Sequence, residues 1–279
     1  MEAILGDTPA RERFAALIAR PAVPVAEAAL ALAEEEYPRL HAGDYLARLD
    51  ELGRIVERRL PPRRDAATAL RALRTVLSGE WGFRGNTESY YDPRNSFLNE
   101  VLERRLGIPI TLGIVYLEVA ARIGLPLRGV GFPGHFLVKH VAGDREIFVD
   151  PFHGGEFMSA EDCAERFRTL VPDRKVEACH LESVTPRQIL ARLLHNLKRI
   201  YIQAGDDVRA LWVVDRLVLL APADAVERRD RGLVEARLGG VTAALRDLDA
   251  YLSAAPGAED SGEVREIVER LRGQAVLLN

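Results

Sequence analysis

Apolar residues in the first part of the chain recur every three or four positions, the spacing of one helix face. Phe14, Leu17 and Ile18 make such a stripe over residues 8–20, after a Thr8-Pro9 start that suits a cap and a first-turn proline. Residues 25–37 are rich in Ala and Leu and stop at Pro38. Leu46, Leu49, Leu52, Ile55, Val56 and Leu60 predict an amphipathic helix over residues 45–60, with Asp44 as its N-cap. Leu70, Leu73, Val76 and Leu77 predict another, capped by Asp65 and closed by Gly79 and Gly82. Residues 80–91 (EWGFRGNTESYY) then read as an ordered loop, with Trp81 and Phe83 as core plugs. Asn95 or Ser96 is expected to cap a short helix over residues 97–105 that Gly107 stops.

The pattern changes after Gly107. Residues 109–123 are apolar nearly all round, broken only by Glu118 and Arg122, which sit four apart as a helix-surface pair. Such a helix belongs in the middle of a domain. Its first turn holds Pro109, Ile110 and Thr111, where free backbone N–H groups and the positive dipole end lie. Strand-like runs follow at Leu127 to Phe132, Phe136 to Val141 and Ile147 to Val149, with Gly143-Asp144 as a two-residue hairpin loop. That loop pairs Ala142 with Arg145 and Asp150 with Leu137. His135 is placed on the first hairpin strand, on the face of Leu137, so Asp150 is its diagonal neighbour at roughly 7 Å. A carboxylate there holds one imidazole tautomer, and nucleophilic catalysis would then need a third group at the other ring nitrogen.

A metal site is a competing use of the same stretch, because His135, His140, Asp150 and His153 cluster in sequence. His135 and His140, five apart on a strand, fall on opposite faces, so a converging ligand set is not expected. The expectation is therefore no metal and no cofactor.

Charge narrows the partners. With 38 basic and 42 acidic side chains, and a net charge of -4, no nucleic-acid surface is expected. The densest basic run, Arg54, Arg58, Arg59, Arg63 and Arg64, is interrupted by Glu57 and two prolines and reads as a solvated helix face with its exit loop. Two cysteines, Cys163 and Cys179, make no disulfide framework. The start MEAILGDTPARERF lacks a basic stretch followed by an apolar one, and no window of 18 residues is free of charge. These features predict a cytoplasmic protein without a membrane span.

The C-terminal part repeats itself. Ser159 and Asp162 cap a helix through Phe167 and Leu170, broken at Val171-Pro172-Asp173. From Thr185-Pro186 onward Gly205 and Gly239, Ala210 and Ala244, Leu211 and Leu245, Asp215 and Asp249, and Pro222 and Pro256 are each 34 apart, the tetratricopeptide period. Leu197, Tyr201, Ala210 and Val214 take signature positions in the first repeat. Gly232, Ala244, Leu248 and Pro256 do so in the second, where Arg228 and Arg231 replace apolar residues. Residues 263–278 predict a capping helix. Arrays this short bury their core by packing on something else. The inner face, with Asn196, Tyr201 and Arg231 as candidate contacts, either binds a protein or peptide or braces the rest of the chain.

NSFLNEVLERRLGIPITLGIVYLEVA, VGFPGHFLV and FVDPFHGG resemble the transglutaminase-like (papain-like) superfamily, and within it the SirB-type family of bacterial proteins, which joins such a domain to tetratricopeptide repeats. The resemblance runs from about Ala29 to the C-terminus and is strongest over residues 91–155. It implies an α+β fold: a transglutaminase-like core of a buried helix and antiparallel strands, a helical N-terminal lobe, and C-terminal tetratricopeptide hairpins. The segments expected are residues 1–94, 95–180 and 181–279. It also implies a triad of cysteine, histidine and aspartate, of which His135 and Asp150 match the last two. Sliding the superfamily's helix onto Gly124-Leu125-Pro126 puts the cysteine at Pro109, or with a slip at Ile110 or Thr111. None is a thiol, and Cys163 and Cys179 follow Asp150, in the wrong order. Two readings remain. One is a non-catalytic interaction or regulatory module with a degenerate triad. The other is a cysteine-protease-like hydrolase or acyl transferase on amide bonds, with Thr111 as replacement nucleophile, His135 as base and Asp150 as orienter.

Overall fold

The structure, a computed structural model, describes residues 8–62, 65–143, 145–170 and 177–277. Four features expected from sequence lie outside them: the extreme N-terminus, Arg63 and Arg64, Asp144 of the hairpin loop, and the break at Val171-Pro172-Asp173. The chain forms two compact units, Leu17–Leu193 and a second made of Met1–Ala16 with Leu194–Asn279. They are described separately.

In the larger unit the apolar helix is central, as its pattern demands. This is α6 (Pro109–Arg122), following α2 (Val25–Ala33), α3 (Ala42–Glu57), α4 (Ala66–Arg74) and α5 (Leu98–Arg104); α1 spans Pro9–Ile18. Helices α2 to α5 all pack on α6. The Glu118–Arg122 pair forms at 2.8 Å, and Glu118 also accepts from the Ala26 amide at the start of α2. Asp65 caps α4 through the Thr68 amide at 2.7 Å, as expected. Asp44 does not cap α3. That helix starts earlier, after His41, and Asp44 lies in its first turn, where its charge still favours the dipole. Nor does Asn95 or Ser96 cap α5. Both sit in a 3₁₀ turn (Pro93–Ser96), and the cap position is Phe97. Arg105, at φ 61°, ends α5 in the left-handed region, while Gly107 belongs to a two-residue strand, β2 (Leu106–Gly107), parallel to β1 (Arg84–Gly85).

The sheet is an antiparallel meander of β3 (Arg128–Val130), β4 (Leu137–Ala142), β5 (Arg145–Asp150) and β6 (Glu156–Met158). The β4–β5 register runs from Ala142↔Arg145 to Val138↔Val149, the pairing expected from the sequence. One detail differs. His135 precedes β4, in the bend after Pro133-Gly134, because Gly134 (φ 71°) reverses the chain there. Phe136, the next residue, is buried over α6 at Gly113, where an added Cβ would sit 2.5 Å from its ring. The short strand β6 has too few residues to show a period in the sequence. Beneath the sheet, α7 (Ala160–Leu170) closes a cluster of Val130, Phe132, Leu137, Phe148, Met158, Cys163 and Phe167.

In the second unit the repeat helices are α9 (Asp207–Leu220), α10 (Ala225–Arg237), α11 (Val241–Ala254) and α12 (Ser261–Leu277), preceded by the later part of α8 (Pro186–Ala204). Gly205 and Gly239 both have positive φ, 68° and 80°, at equivalent turns. The two arginines that break the repeat pattern are held by polar partners instead of apolar packing. Arg231 bonds Asp215 at 3.0 Å and Asp247 at 2.5 and 3.0 Å, and Arg228 donates to the Pro222 carbonyl. Asp215 in turn holds Arg11 at 2.8 Å.

Glu235 lies against this network, buried, with Oε2 lacking a hydrogen bond among the described residues. Burial, and then the charge of Asp247, push its carboxyl up to about 7. A raised carboxyl contributes stability below its unfolded value near 4.5 and loses it as pH rises through 7. Glu235→Gln should therefore raise the melting temperature at pH 8, by the equivalent of about 2 kcal/mol. The gain should shrink toward pH 5, as read by thermal denaturation at both pH values.

Candidate active site

The site grows out of one carboxylate. Asp150 ends β5, fully buried, and its side chain turns back on its own chain. Oδ1 accepts the amides of Phe152 at 3.1 Å and His153 at 3.3 Å, the short-range pattern Asp favours in turns. Oδ2 accepts Nε2 of His135 at 2.8 Å, Nδ1 of His153 at 2.8 Å, and Nη1 of Arg166 from α7. Burial alone would raise this carboxyl. The hydrogen bonds from His135 and His153 and the charges around it outweigh burial and hold it well below the ordinary carboxylate range. An ionised acceptor fixes the tautomers: His135 donates through Nε2 and His153 through Nδ1. Nδ1 of His135 has no hydrogen-bond partner among the described residues.

Three contacts set the position of His135. Its amide donates to the Phe132 carbonyl at 2.9 Å. Arg192 on α8 donates through Nη2 to the carbonyls of Phe132 at 2.9 Å and His135 at 2.6 Å. Phe152 stands edge-on to the imidazole, centroids 5.8 Å apart. Phe152 is itself seated on Gly85, where a Cβ would lie 2.5 Å from its ring, and its carbonyl accepts the Gly85 amide at 3.0 Å. His135 and His153 open onto a cleft of about 540 Å³ whose wall also carries Glu156, Asp162, Glu165 and Arg166.

The structure places His135, in the bend before β4 and not on the strand, against Asp150, and leaves Thr111 out of the pair. The Thr111 hydroxyl donates to the Asn95 carbonyl at 2.7 Å, with the Ile108 carbonyl a second acceptor at 3.1 Å, and it accepts the Ile108 amide at 3.2 Å. It is a buried cap of α6, and Asn95 ties that cap to residues 86–95 through the carbonyls of Ser89 and Tyr90. The thiols are no substitute. Cys163 is in the core, where burial pushes it up to about 12, and Cys179 is exposed with Sγ 3.7 Å from Glu177. Of the expected repeat contacts, Asn196 is part-exposed. Tyr201 is buried, with its ring against Trp212, and Arg231 is locked between Asp215 and Asp247, so neither offers the surface expected of it.

His153, named in the sequence only as a candidate metal ligand, joins the site, and three further residues there, Glu156, Arg166 and Arg192, have no counterpart in the sequence reading. Arg166 and Arg192 come from separate helices and carry no local signal. His140, which does not join the site, donates from Nδ1 to the Pro126 carbonyl at 2.9 Å.

Residues 43–195 match the family model described as transglutaminase-like superfamily, and residues 197–269 match a tetratricopeptide repeat model. A UPF0162 protein of Xylella fastidiosa (strain Temecula1) is 38% identical over 247 residues, covering 87% of this chain and 88% of that protein. A UPF0162 protein of Vibrio cholerae is 32% identical, covering 84% and 87%. UPF0162 protein YchA of Escherichia coli K12 is 27% identical, covering 88% and 90%. No solved structure matches the chain.

Removing the charge of Asp150 leaves Arg166 and two imidazoles without their shared acceptor. Asp150→Asn should cost about 3 kcal/mol of stability at pH 7. Because the folded carboxyl is depressed, its contribution is present above the unfolded value near 3.8 and is lost as pH falls further. Urea denaturation at pH 7 and pH 3 should show a gap between the two proteins that narrows at the lower pH.

Proposed function

Because the chain belongs to the UPF0162 family of transglutaminase-like proteins with tetratricopeptide repeats, we propose that it is a binding or regulatory module and not an acyl-transfer enzyme. The observation that carries this reading is the engagement of Thr111. A triad of this type needs a nucleophile at the free ring nitrogen of the histidine. Of the three positions where one was sought, Pro109 and Ile110 have no nucleophilic group, and the Thr111 hydroxyl spends its only proton on a backbone carbonyl. Among the described residues no thiol or hydroxyl is hydrogen-bonded to His135.

On this reading His135 and Asp150 hold the shape of the cleft, and the repeats supply a surface for a protein or peptide partner. Asn196, part-exposed on α8, is a candidate contact on that surface. The same reading puts the protein in the cytoplasm and gives it no nucleic-acid or membrane partner. Among the described residues no helix is long and apolar enough to cross a membrane.

A hydrolase or acyl transferase with a replaced nucleophile has one observation in its favour, the open cleft at His135. The test separates the two. The full chain is incubated with a fluorescent primary amine and a glutamine-containing protein, and separately with chromogenic amides and esters. The binding reading expects no more product than His135→Ala gives. Turnover that disappears in His135→Ala, while circular dichroism shows the variant folded, would overturn it.

A further inference from the structure

We propose that His135, Asp150 and His153 are a binding site for a divalent transition-metal ion of the zinc type, at which Arg166 supplies the positive charge that the ion replaces.

The geometry comes first. One nitrogen from each imidazole and one oxygen of Asp150 all lie within 4.8 Å of one another. Both nitrogens are 2.8 Å from the same atom, Asp150 Oδ2. Around a tetrahedral ion with bonds of about 2.0–2.1 Å, neighbouring donors stand about 3.3 Å apart. Each nitrogen therefore has to open from 2.8 Å by roughly half an ångström. Oδ1 is pinned by the Phe152 and His153 amides, so Oδ2 is the oxygen left to bind, with its direction fixed by an outer shell. His153 is about half exposed; His135 is held by Arg192 and Phe152.

Charge points the same way. The cleft wall holds three carboxylates, Glu156, Asp162 and Glu165, against one guanidinium. That guanidinium marks where a cation sits. Nη1 of Arg166 touches Asp150 Oδ2 and lies 3.2 Å from His153 Nδ1, two of the three donor atoms. Asp150 is ionised and accepts a hydrogen bond from His153, so Nη1 is a positive group at a point of convergence. Its side chain has a second anchor, Glu156 at 2.7 Å, onto which it can withdraw.

The donor set chooses the ion. Two imidazoles and a carboxylate suit zinc, cobalt or nickel, whereas calcium and magnesium take mainly oxygen. Three protein ligands leave a fourth position open toward the cleft. The proposal does not depend on the binding-module reading, since no nucleophile is involved.

The test is titration of the metal-stripped full chain with zinc chloride by calorimetry, and with cobalt chloride by visible absorption. One ion per chain is expected, with tetrahedral cobalt bands. His153→Asn should weaken binding at least tenfold, and Arg166→Gln should bind zinc as tightly as the natural chain or more tightly. His153 is half exposed, so its variant is expected to fold, which circular dichroism checks. Equal affinity in the natural chain and His153→Asn would place the ion elsewhere and overturn the proposal. So would the absence of binding in both the natural chain and Arg166→Gln.

Discussion

A fully buried carboxylate with five donors around it is the constraint on which the site rests. Asp150 is acceptable in the interior only because every lone-pair direction is used: two amides on Oδ1, and two imidazoles and a guanidinium on Oδ2. The five donors reach it from three pieces of chain. The bend before β4 brings His135, the turn after β5 brings its own amides and His153, and α7 brings Arg166. The meander order β3-β4-β5-β6 is what lets these pieces meet. Satisfying Asp150 therefore shapes the cleft, whatever the cleft binds.

Away from that carboxylate, Thr111 serves structure: its hydroxyl closes the N-terminus of α6 and ties it to Asn95. A hydroxyl so engaged is a cap. Arg192 adds a second constraint. It is largely buried, with its guanidinium pKa lowered by burial, and it donates to the carbonyls that shape the His135 bend. No carboxylate pairs with it among the described residues. A cation held only by carbonyls makes that bend costly to move.

Much of this was legible in the residues. The all-round apolar stretch predicted a central helix, and α6 is buried along most of its length. The Gly143-Asp144 loop predicted the β4–β5 register, although His135 reaches Asp150 from the bend before β4 and not from the strand. The 34-residue period predicted the repeats. What could not be read was convergence from afar. Nothing near Arg166 or Arg192 in sequence says that their side chains reach the same few ångströms as Asp150. His153 is a different case. As strand neighbours His135 and His140 would face apart, but His135 lies in a bend and His153 in a turn, where strand alternation does not apply. Arg231 and Tyr201 misled in the opposite direction: repeat position suggested a surface, and ion pairs and packing consumed both.

The central claim is that one ionised carboxylate dictates the protonation of both imidazoles beside it. Long-range proton–nitrogen correlation spectra of the histidine side chains near pH 8 test it directly. The account predicts His135 protonated at Nε2 with Nδ1 bare, and His153 protonated at Nδ1, because each donates to Asp150. A neutral His135 protonated at Nδ1 would contradict it, since Nε2 would then face the carboxylate as a second acceptor.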